Sequence, residues 1–424
     1  MGFGPLKRFV GQATPALGKT GPSAVAIDFG LGSLKLLQVI PGEPPTLVAA
    51  ACLPTPEHLL NDALKRIEFQ VAELPALIRK GGFKGRRAVC AVPAAAAFCK
   101  HMQFTRTDGV SLSSLIEAAL PSQMGKAAHQ VVFRYVEAPV PERGVGKAEV
   151  VVTAVPRDLV NQLMGAVKAA KFEPVGIHGE FQAIIRAFDY LFKRPEEADL
   201  TTLYLDIGAG TINVVISHGQ RLAFTRTIAM GGVHLDEAIA RQLKISFEEA
   251  VKVRRELIHL TARDAGAARD ARSAEAAAQV EASPLVTVAV GADGSSATGP
   301  TTATVKPATL EDLGLRHRGA ARPPDPDLAE QLEILTDEIW MCLRYHASLY
   351  PSRKIDRAVF VGGEARHKAL CQHIARCLRV PSQVADPMAR VARPGTGLLP
   401  GVDLSRAQPG WTVPLGLCLC PTDL

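Results

Sequence analysis

Leu203-Tyr204-Leu205-Asp206-Ile207-Gly208-Ala209-Gly210-Thr211-Ile212-Asn213-Val214-Val215-Ile216-Ser217 opens as an apolar run, turns through Asp206-x-Gly208-x-Gly210-Thr211, and resumes as a second apolar run. The pattern reads as a β-hairpin whose turn carries one carboxylate, two glycines and one hydroxyl. Glycines in such a turn let backbone N–H groups approach phosphate oxygens where a Cβ would intrude. Asp206, at the mouth of a buried strand, is placed to hold a Mg²⁺ ion through its waters. Taken alone the turn is ambiguous, because many Asp-x-Gly hairpins bind nothing.

The turn recurs. Ala24–Ile40 carries Ile27-Asp28-Phe29-Gly30-Leu31-Gly32-Ser33 between two apolar runs, with Lys35 just beyond. A third element, Ala358-Val359-Phe360-Val361-Gly362-Gly363-Glu364-Ala365-Arg366, is a strand ending in Gly-Gly and expected to open a helix over residues 365–378. A Gly-Gly there admits a nucleotide against helix N-terminal amides. Two Asp-x-Gly hairpins followed by a strand-Gly-Gly-helix resemble the phosphate-1, phosphate-2 and adenosine motifs of the actin/DnaK/hexokinase superfamily. The resemblance implies an α/β, two-lobed fold built from duplicated ribonuclease H-like halves.

Composition agrees with a globular chain. The 424 residues suffice for two lobes, and 47% hydrophobic with 21% charged residues is ordinary. A net charge of +6 spread along the chain gives no basic tract for nucleic acid. No apolar stretch reaches the roughly 18–20 residues of a membrane span. Met1–Thr20 has no continuous apolar core, so no export signal is expected. The eight cysteines show no Cys-x-x-Cys spacing, and free thiols in a reducing compartment are the expectation, including Cys371 and Cys377 beside His373.

Along the chain, residues 1–21 read as a flexible basic leader, with weak surface binding through Phe3, Leu6, Phe9 and Val10 as the alternative. Residues 22–86 and 172–200 form lobe one, 87–171 an inserted αβ subdomain, and 201–261 with 328–424 lobe two. Residues 262–327, rich in Ala, Arg, Gly, Pro and Thr, read as a disordered insertion in lobe two. Within it Pro284–Val290 is a β-prone apolar patch. Ser246-Phe247-Glu248-Glu249 reads as a capping box. Leu328, Leu332, Leu335, Ile339, Leu343, His346 and Leu349 fall at helical spacing on a core-facing side, with His346 packed or capping rather than ligating. Gly410–Cys420 reads as the last short helix, with no appended membrane helix of the FtsA kind.

The order resembles the PilM and FtsA branch of the actin-like proteins, in which an inserted αβ subdomain replaces the usual small subdomain of lobe one. Glu117–Ser122, Thr153–Val160, Phe224–Gly232, and Leu235–Ala240 with Ser246–Ala250 resemble the PilM family of type IV pilus assembly. That resemblance implies a cytoplasmic protein, peripheral to the inner membrane, that docks the short cytoplasmic tail of a PilN-like membrane protein in a pilus or type II secretion-like machine. It leaves homo-oligomerisation open. It implies ATP and Mg²⁺ in the cleft, with Asp28 and Asp206 facing each other as catalytic and water-mediated metal residues. Gly30, Gly32, Ser33, Lys35, Gly208, Gly210 and Thr211 would line the phosphates, and Arg254, Gly362, Gly363 and Glu364 the adenosine. Whether Lys35 faces the phosphates is left open by strand alternation. Two departures bear on the nucleotide. Val251 and Arg254 replace a Glu and a Lys of many relatives, and Leu31 stands where a hydroxyl residue is usual. With no residue to orient the attacking water, slow hydrolysis or a nucleotide clamp is expected. A nucleotide-free scaffold and a small-molecule kinase or hydrolase of the same fold are the rivals.

Overall fold

The computed structural model describes residues 21–106, 108–140, 147–257, 326–393, 395 and 399–422. The leader, and the alanine-rich insertion up to residue 325, lie outside the described residues.

Lobe one begins as a meander, β1 (Val25–Phe29), β2 (Ser33–Ile40) and β3 (Thr46–Pro54), followed by α1 (Ala63–Gly81) and β4 (Arg87–Val92). β5 (Phe98–Thr105), α2 (Leu112–Met124), β6 (Val131–Glu137) and β7 (Lys147–Pro156) form the small subdomain. The chain then returns through α3 (Arg157–Ala169), β8 (Glu173–Gly179) and α4 (Glu180–Ala187). Lobe two repeats the meander as β9 (Thr201–Ile207), β10 (Ile212–His218) and β11 (Arg221–Ile228). It continues with α5 (Gly232–Leu243), α6 (Phe247–Glu256), α7 (Ala329–Leu349), β12 (Arg357–Val361), α8 (Lys368–Leu378), β13 (Ser382–Val384) and α9 (Thr412–Leu419).

The two large sheets have the same order, β3-β2-β1-β4-β8 and β11-β10-β9-β12-β13, with an antiparallel meander joined to parallel strands in each. The subdomain is a three-stranded antiparallel sheet, β5-β7-β6, covered by α2 through Leu112, Ile116 and Leu120.

Alternation along the central strands decides where the site residues point. In β1, Val25, Ile27 and Phe29 join the outer core under α1 and α3, so Ala26 and Asp28 face inward. In β9, Leu203, Leu205 and Ile207 join the outer core of lobe two, leaving Tyr204 and Asp206 on the inner face. The same parity turns Lys35 inward between Leu34 and Leu36, and Asn213 inward between Ile212 and Val214.

Three expectations need correction. β4 and α3, expected in the inserted subdomain, belong to lobe one: β4 pairs with β1 and β8, and α3 supplies Leu163, Ala166 and Val167 to the outer core. β4 is apolar on both faces and α3 is an ordinary amphipathic helix, so neither carries a mark of which sheet claims it. The C-terminal residues, expected in lobe two, return to lobe one. Leu47 N–H donates to Ala392 O at 2.8 Å beside β3, and α9 lies against α4 so closely that a Cβ on Gly416 would meet the Ala183 carbonyl. Finally, Gly362-Gly363 opens a 3₁₀ turn over Gly363–Arg366, and α8 starts only at Lys368 with His367 as its N-cap. Elsewhere Ser246 and Glu249 form the expected capping box, and His346 is buried, with its Nε2 2.9 Å from Nε2 of His218.

Candidate functional site

The two Asp-x-Gly turns lie opposite each other between the sheets. Asp28 is buried on β1, and its cross-strand neighbour Lys35 places Nζ 3.6 Å from Asp28 Oδ2. Lys35 therefore faces the cleft. The first turn is anchored from behind by buried Gln70 of α1, whose Nε2 donates to Gly30 O at 2.8 Å, while Thr55 N–H donates to Gly32 O at 3.0 Å. The second turn is closed by Gly208 N–H donating to Thr211 O at 2.9 Å.

In lobe two the position matching Lys35 is Asn213, the cross-strand partner of Asp206. Asp28 and Lys35, and Asp206 and Asn213, share one spacing in the duplicated halves. Asn213 Nδ2 donates to Asp206 Oδ2 at 3.1 Å and to Glu180 Oε2 at 2.7 Å, and Asn213 Oδ1 accepts from Thr227 Oγ1 at 2.9 Å. Glu180 opens α4, and its other oxygen accepts from Ala94 N–H at 3.1 Å. A single amide thus joins carboxylates of both lobes.

Loss of hydration pushes all three carboxyls up. Burial raises Asp28 although Lys35 opposes it. Burial raises Asp206 to about 6, with Asn213 opposing and Asp28 adding repulsion. Burial raises Glu180 to about 8, helped by the charges of Asp206 and then Asp28. Three carboxyls that resist ionisation together form a site that gains from a cation. Among the described residues no group of three Asp, Glu, His or Cys side chains converges on one ion position. The oxygen donors fit a hydrated Mg²⁺ held through water rather than ligated directly.

Glu180 and Asn213 were missed from sequence. Glu180 reads as an ordinary acidic residue in a first helical turn, and its neighbours come from β10 and the turn after β4. For Asn213 the shared spacing after each aspartate is the signal that points to it. Beside both lies a cavity of about 20 Å³ bordered by Glu180, Asn213, Cys99, Thr153, Thr225 and Thr227, room for a single water.

The adenosine side differs from expectation. A Cβ on Gly362, whose φ is +92°, would fall 2.6 Å from Asp206 Oδ1, so this glycine permits contact with the second turn, whereas Gly363 has open space beside it. Arg254 does not face that space. Its guanidinium is buried, with Nε 2.6 Å from Asp236 Oδ1, Nη2 3.0 Å from Asp236 Oδ2 and Nη1 2.7 Å from Glu364 Oε2. Arg254 and Glu364 are thus committed to each other and tie α5 and α6 to the turn after β12. Leu31 lies against Gly210, where a Cβ would collide with Leu31 Cδ1, and Gly32 lies beside Ala209. The turns must part for phosphates to lie between them.

Two sheets of one order, each presenting an Asp-x-Gly turn to a shared cleft, define an actin-like protein. A family model described as Type IV pilus assembly protein PilM matches residues 26–259 of the 424, and the chain belongs to that family. A second model, Cell division protein FtsA, matches residues 203–398. Among solved structures the chain is similar to one from a PilM-PilN type IV pilus biogenesis complex, at 20% identity and TM-score 0.65, covering 94% of this chain and 98% of that one. It also matches ethanolamine utilization protein EutJ from Carboxydothermus hydrogenoformans (16% identity, TM-score 0.44, covering 94% and 89%). A third match is MreB5 of Spiroplasma citri bound to ADP (13% identity, TM-score 0.43, covering 94% and 95%). No curated protein matches the chain. Among the described residues no helix is long and apolar enough to cross a membrane.

Proposed function

We propose that the cleft binds Mg-ATP and that the chain acts as a nucleotide-dependent clamp in type IV pilus assembly. In this reading it docks the cytoplasmic tail of a PilN-like protein and so becomes peripheral to the inner membrane. The observation that carries the nucleotide reading is the pairing of Asp28 with Lys35 on one side, and of Asp206 and Glu180 through Asn213 on the other, on the inner face between two glycine turns. Bound Mg²⁺ would supply charge neutralisation at the phosphates through water held by Asp28 and Asp206. Lys35 adds a second positive charge on the lobe-one side. Glu180 is the residue positioned to orient a water and accept its proton. With its carboxyl raised to about 8 it holds its own proton at neutral pH, which favours slow turnover and a long-lived closed state.

Leu31 against Gly210 and the commitment of Arg254 favour the second reading, a scaffold without nucleotide. The kinase rival has less support, since the cavity beside Glu180 admits a water and not a sugar.

For the partner, the small subdomain offers an edge. Among the described strands β6 pairs only with β7, so its outer side is available for strand addition. Fluorescence anisotropy with a labelled PilN-like tail peptide tests this. Successive strand residues point their N–H groups to opposite sides, so one of Arg134→Pro and Tyr135→Pro removes an outward donor. That variant is expected to weaken peptide binding about tenfold. Unchanged binding in both variants would move the tail elsewhere on the protein.

A further inference from the structure

The end of lobe one opposite the glycine turns is strongly basic. Val25 at the start of β1 pairs with Ala88, and Arg87 at the start of β4 pairs with Glu173 of β8, whereas Asp28 lies toward the other end of β1. The last turns of α1 and α3 reach this end and bring Arg79, Lys80 and Lys168, where cations offset the helix carbonyls. The connections into β4 and β8 add Lys84, Arg86 and Lys171, which with Arg87 have no such role. All seven are exposed, and none pairs with a carboxylate among the described residues. Two carboxylates lie near them: Glu173, exposed beside Arg87, and Glu43 in the β2–β3 connection, which pairs with Lys193.

The fold gathers what the sequence spreads out. Residues 79–87 and 168–173 meet because Glu173 N–H donates to Arg86 O at 2.6 Å. Phe83 and Phe172 turn into the core with α1 and α3, so the aromatic side chains of these two segments are withdrawn from the face. Gly82 and Gly85, at φ +72° and +76°, shape the turn into β4, and both have open space beside them. The N-terminal segment joins the fold at this same end. Buried Gln38 donates through Nε2 to Ser23 O at 2.8 Å and to Lys84 O at 2.7 Å, and its Oε1 accepts from Lys84 N–H at 2.7 Å. The sequence of residues 1–20 contains Lys7, Arg8 and Lys19, no acidic residue, and the apolar Phe3, Leu6, Phe9 and Val10.

We propose that this basic end of lobe one lies against an anionic lipid bilayer. Protein partners are held by aromatic anchors seated in pockets, and single-stranded nucleic acids by bases stacked on aromatic rings. With Phe83 and Phe172 packed inward, these segments offer neither. Unpaired cations grouped at one end suit a plane of headgroup phosphates, to which each Lys or Arg is drawn without a fixed geometry. A nucleic acid duplex would engage the same cations but gives Phe3, Leu6, Phe9 and Val10 nothing to enter, whereas the headgroup boundary accepts apolar side chains. The contact lies at the opposite end of the strands from Asp28 and needs no nucleotide. It adds direct lipid binding to the docking of a partner's tail and does not rest on that docking.

Co-sedimentation of the full chain with vesicles tests the proposal, using phosphatidylcholine alone and phosphatidylcholine with about 30% phosphatidylglycerol. The chain should bind the anionic vesicles and not the neutral ones, and raising salt from about 50 to about 300 mM should release it. Lys84→Glu/Arg86→Glu reverses two of the seven cations and should weaken binding by at least about tenfold. Arg344→Glu/Lys354→Glu makes the same change in net charge at exposed residues of lobe two and should leave binding within a few fold. All four residues are exposed, and unchanged thermal melts would show that each variant folds. Wild type that ignores anionic vesicles overturns the proposal, as does binding that both double variants weaken alike or that neither weakens. A wild type that binds a DNA duplex but no vesicle also overturns it and transfers the face to nucleic acid.

Discussion

Arg254→Ala is expected to lower unfolding free energy by about 3–5 kcal/mol, the cost of leaving buried carboxylates without their cation. The arginine sits at 1% side-chain exposure between Asp236 at 4% and Glu364 at 18%. Removing it strands the carboxylate on α5 almost out of reach of water and leaves the partly exposed one in the turn after β12 without its partner. Such a loss is unlike that of a surface ion pair, which contributes about 0–1 kcal/mol. The control is Arg254→Met with Asp236→Leu, which removes the cation together with its more buried carboxylate and should destabilise less than the single variant. Urea denaturation followed by circular dichroism measures both. A single-variant loss below about 1 kcal/mol would show that the triad is hydrated and that Arg254 is free to face a nucleotide after all.

Glu180→Gln should reduce single-turnover ATP hydrolysis by about 10²-fold or more while leaving Mg-ATP affinity within a few fold, because glutamine keeps the side chain's size and one of the two hydrogen bonds that Glu180 accepts but cannot accept a proton. The same variant has a signature without nucleotide. The folded protein holds the Glu180 proton up to about 8, whereas the unfolded chain releases it near the ordinary 4.5. The folded state therefore binds more protons in this window, so its stability is full below about 4.5, falls as pH rises, and levels off above about 8. Glutamine has no such penalty. Thermal melts at pH 5, 6, 7 and 8 should show the variant gaining on the wild type as pH rises. A gap that stays constant or closes would place Glu180 in contact with water and remove it as the residue that orients the nucleophile.

How much of this was legible beforehand follows from range. The Asp-x-Gly turns are local, and Asp28 and Asp206 could be read because each hairpin carries its strand pattern, carboxylate and glycines within one short segment. The family resemblance was legible from the order of such segments. The direction of Lys35 was not, since it depends on which face of β2 the helices α1 and α3 cover. Glu180 and Asn213 are individually unremarkable residues that acquire meaning only when α4 of one lobe meets β10 of the other. Arg254 was picked out by position but not by partners, because Asp236 and Glu364 approach it from two other elements. The return of α9 to lobe one was hidden for a similar reason: a short, wholly apolar helix fits the core of either lobe, and the close approach of Gly416 to Ala183 decides which.

The central claim is that the cleft between the two turns holds Mg-ATP. Isothermal titration of ATP with Mg²⁺ into the full chain, beside Asp206→Ala, tests it most directly. The account predicts saturable one-to-one binding to the wild type and a loss of at least about tenfold in the variant, because the alanine removes the carboxylate that holds the metal's water. No heat of binding to a wild type that melts cooperatively would contradict the account, and would mean that Leu31 against Gly210 keeps the turns closed and the chain works as a scaffold without nucleotide.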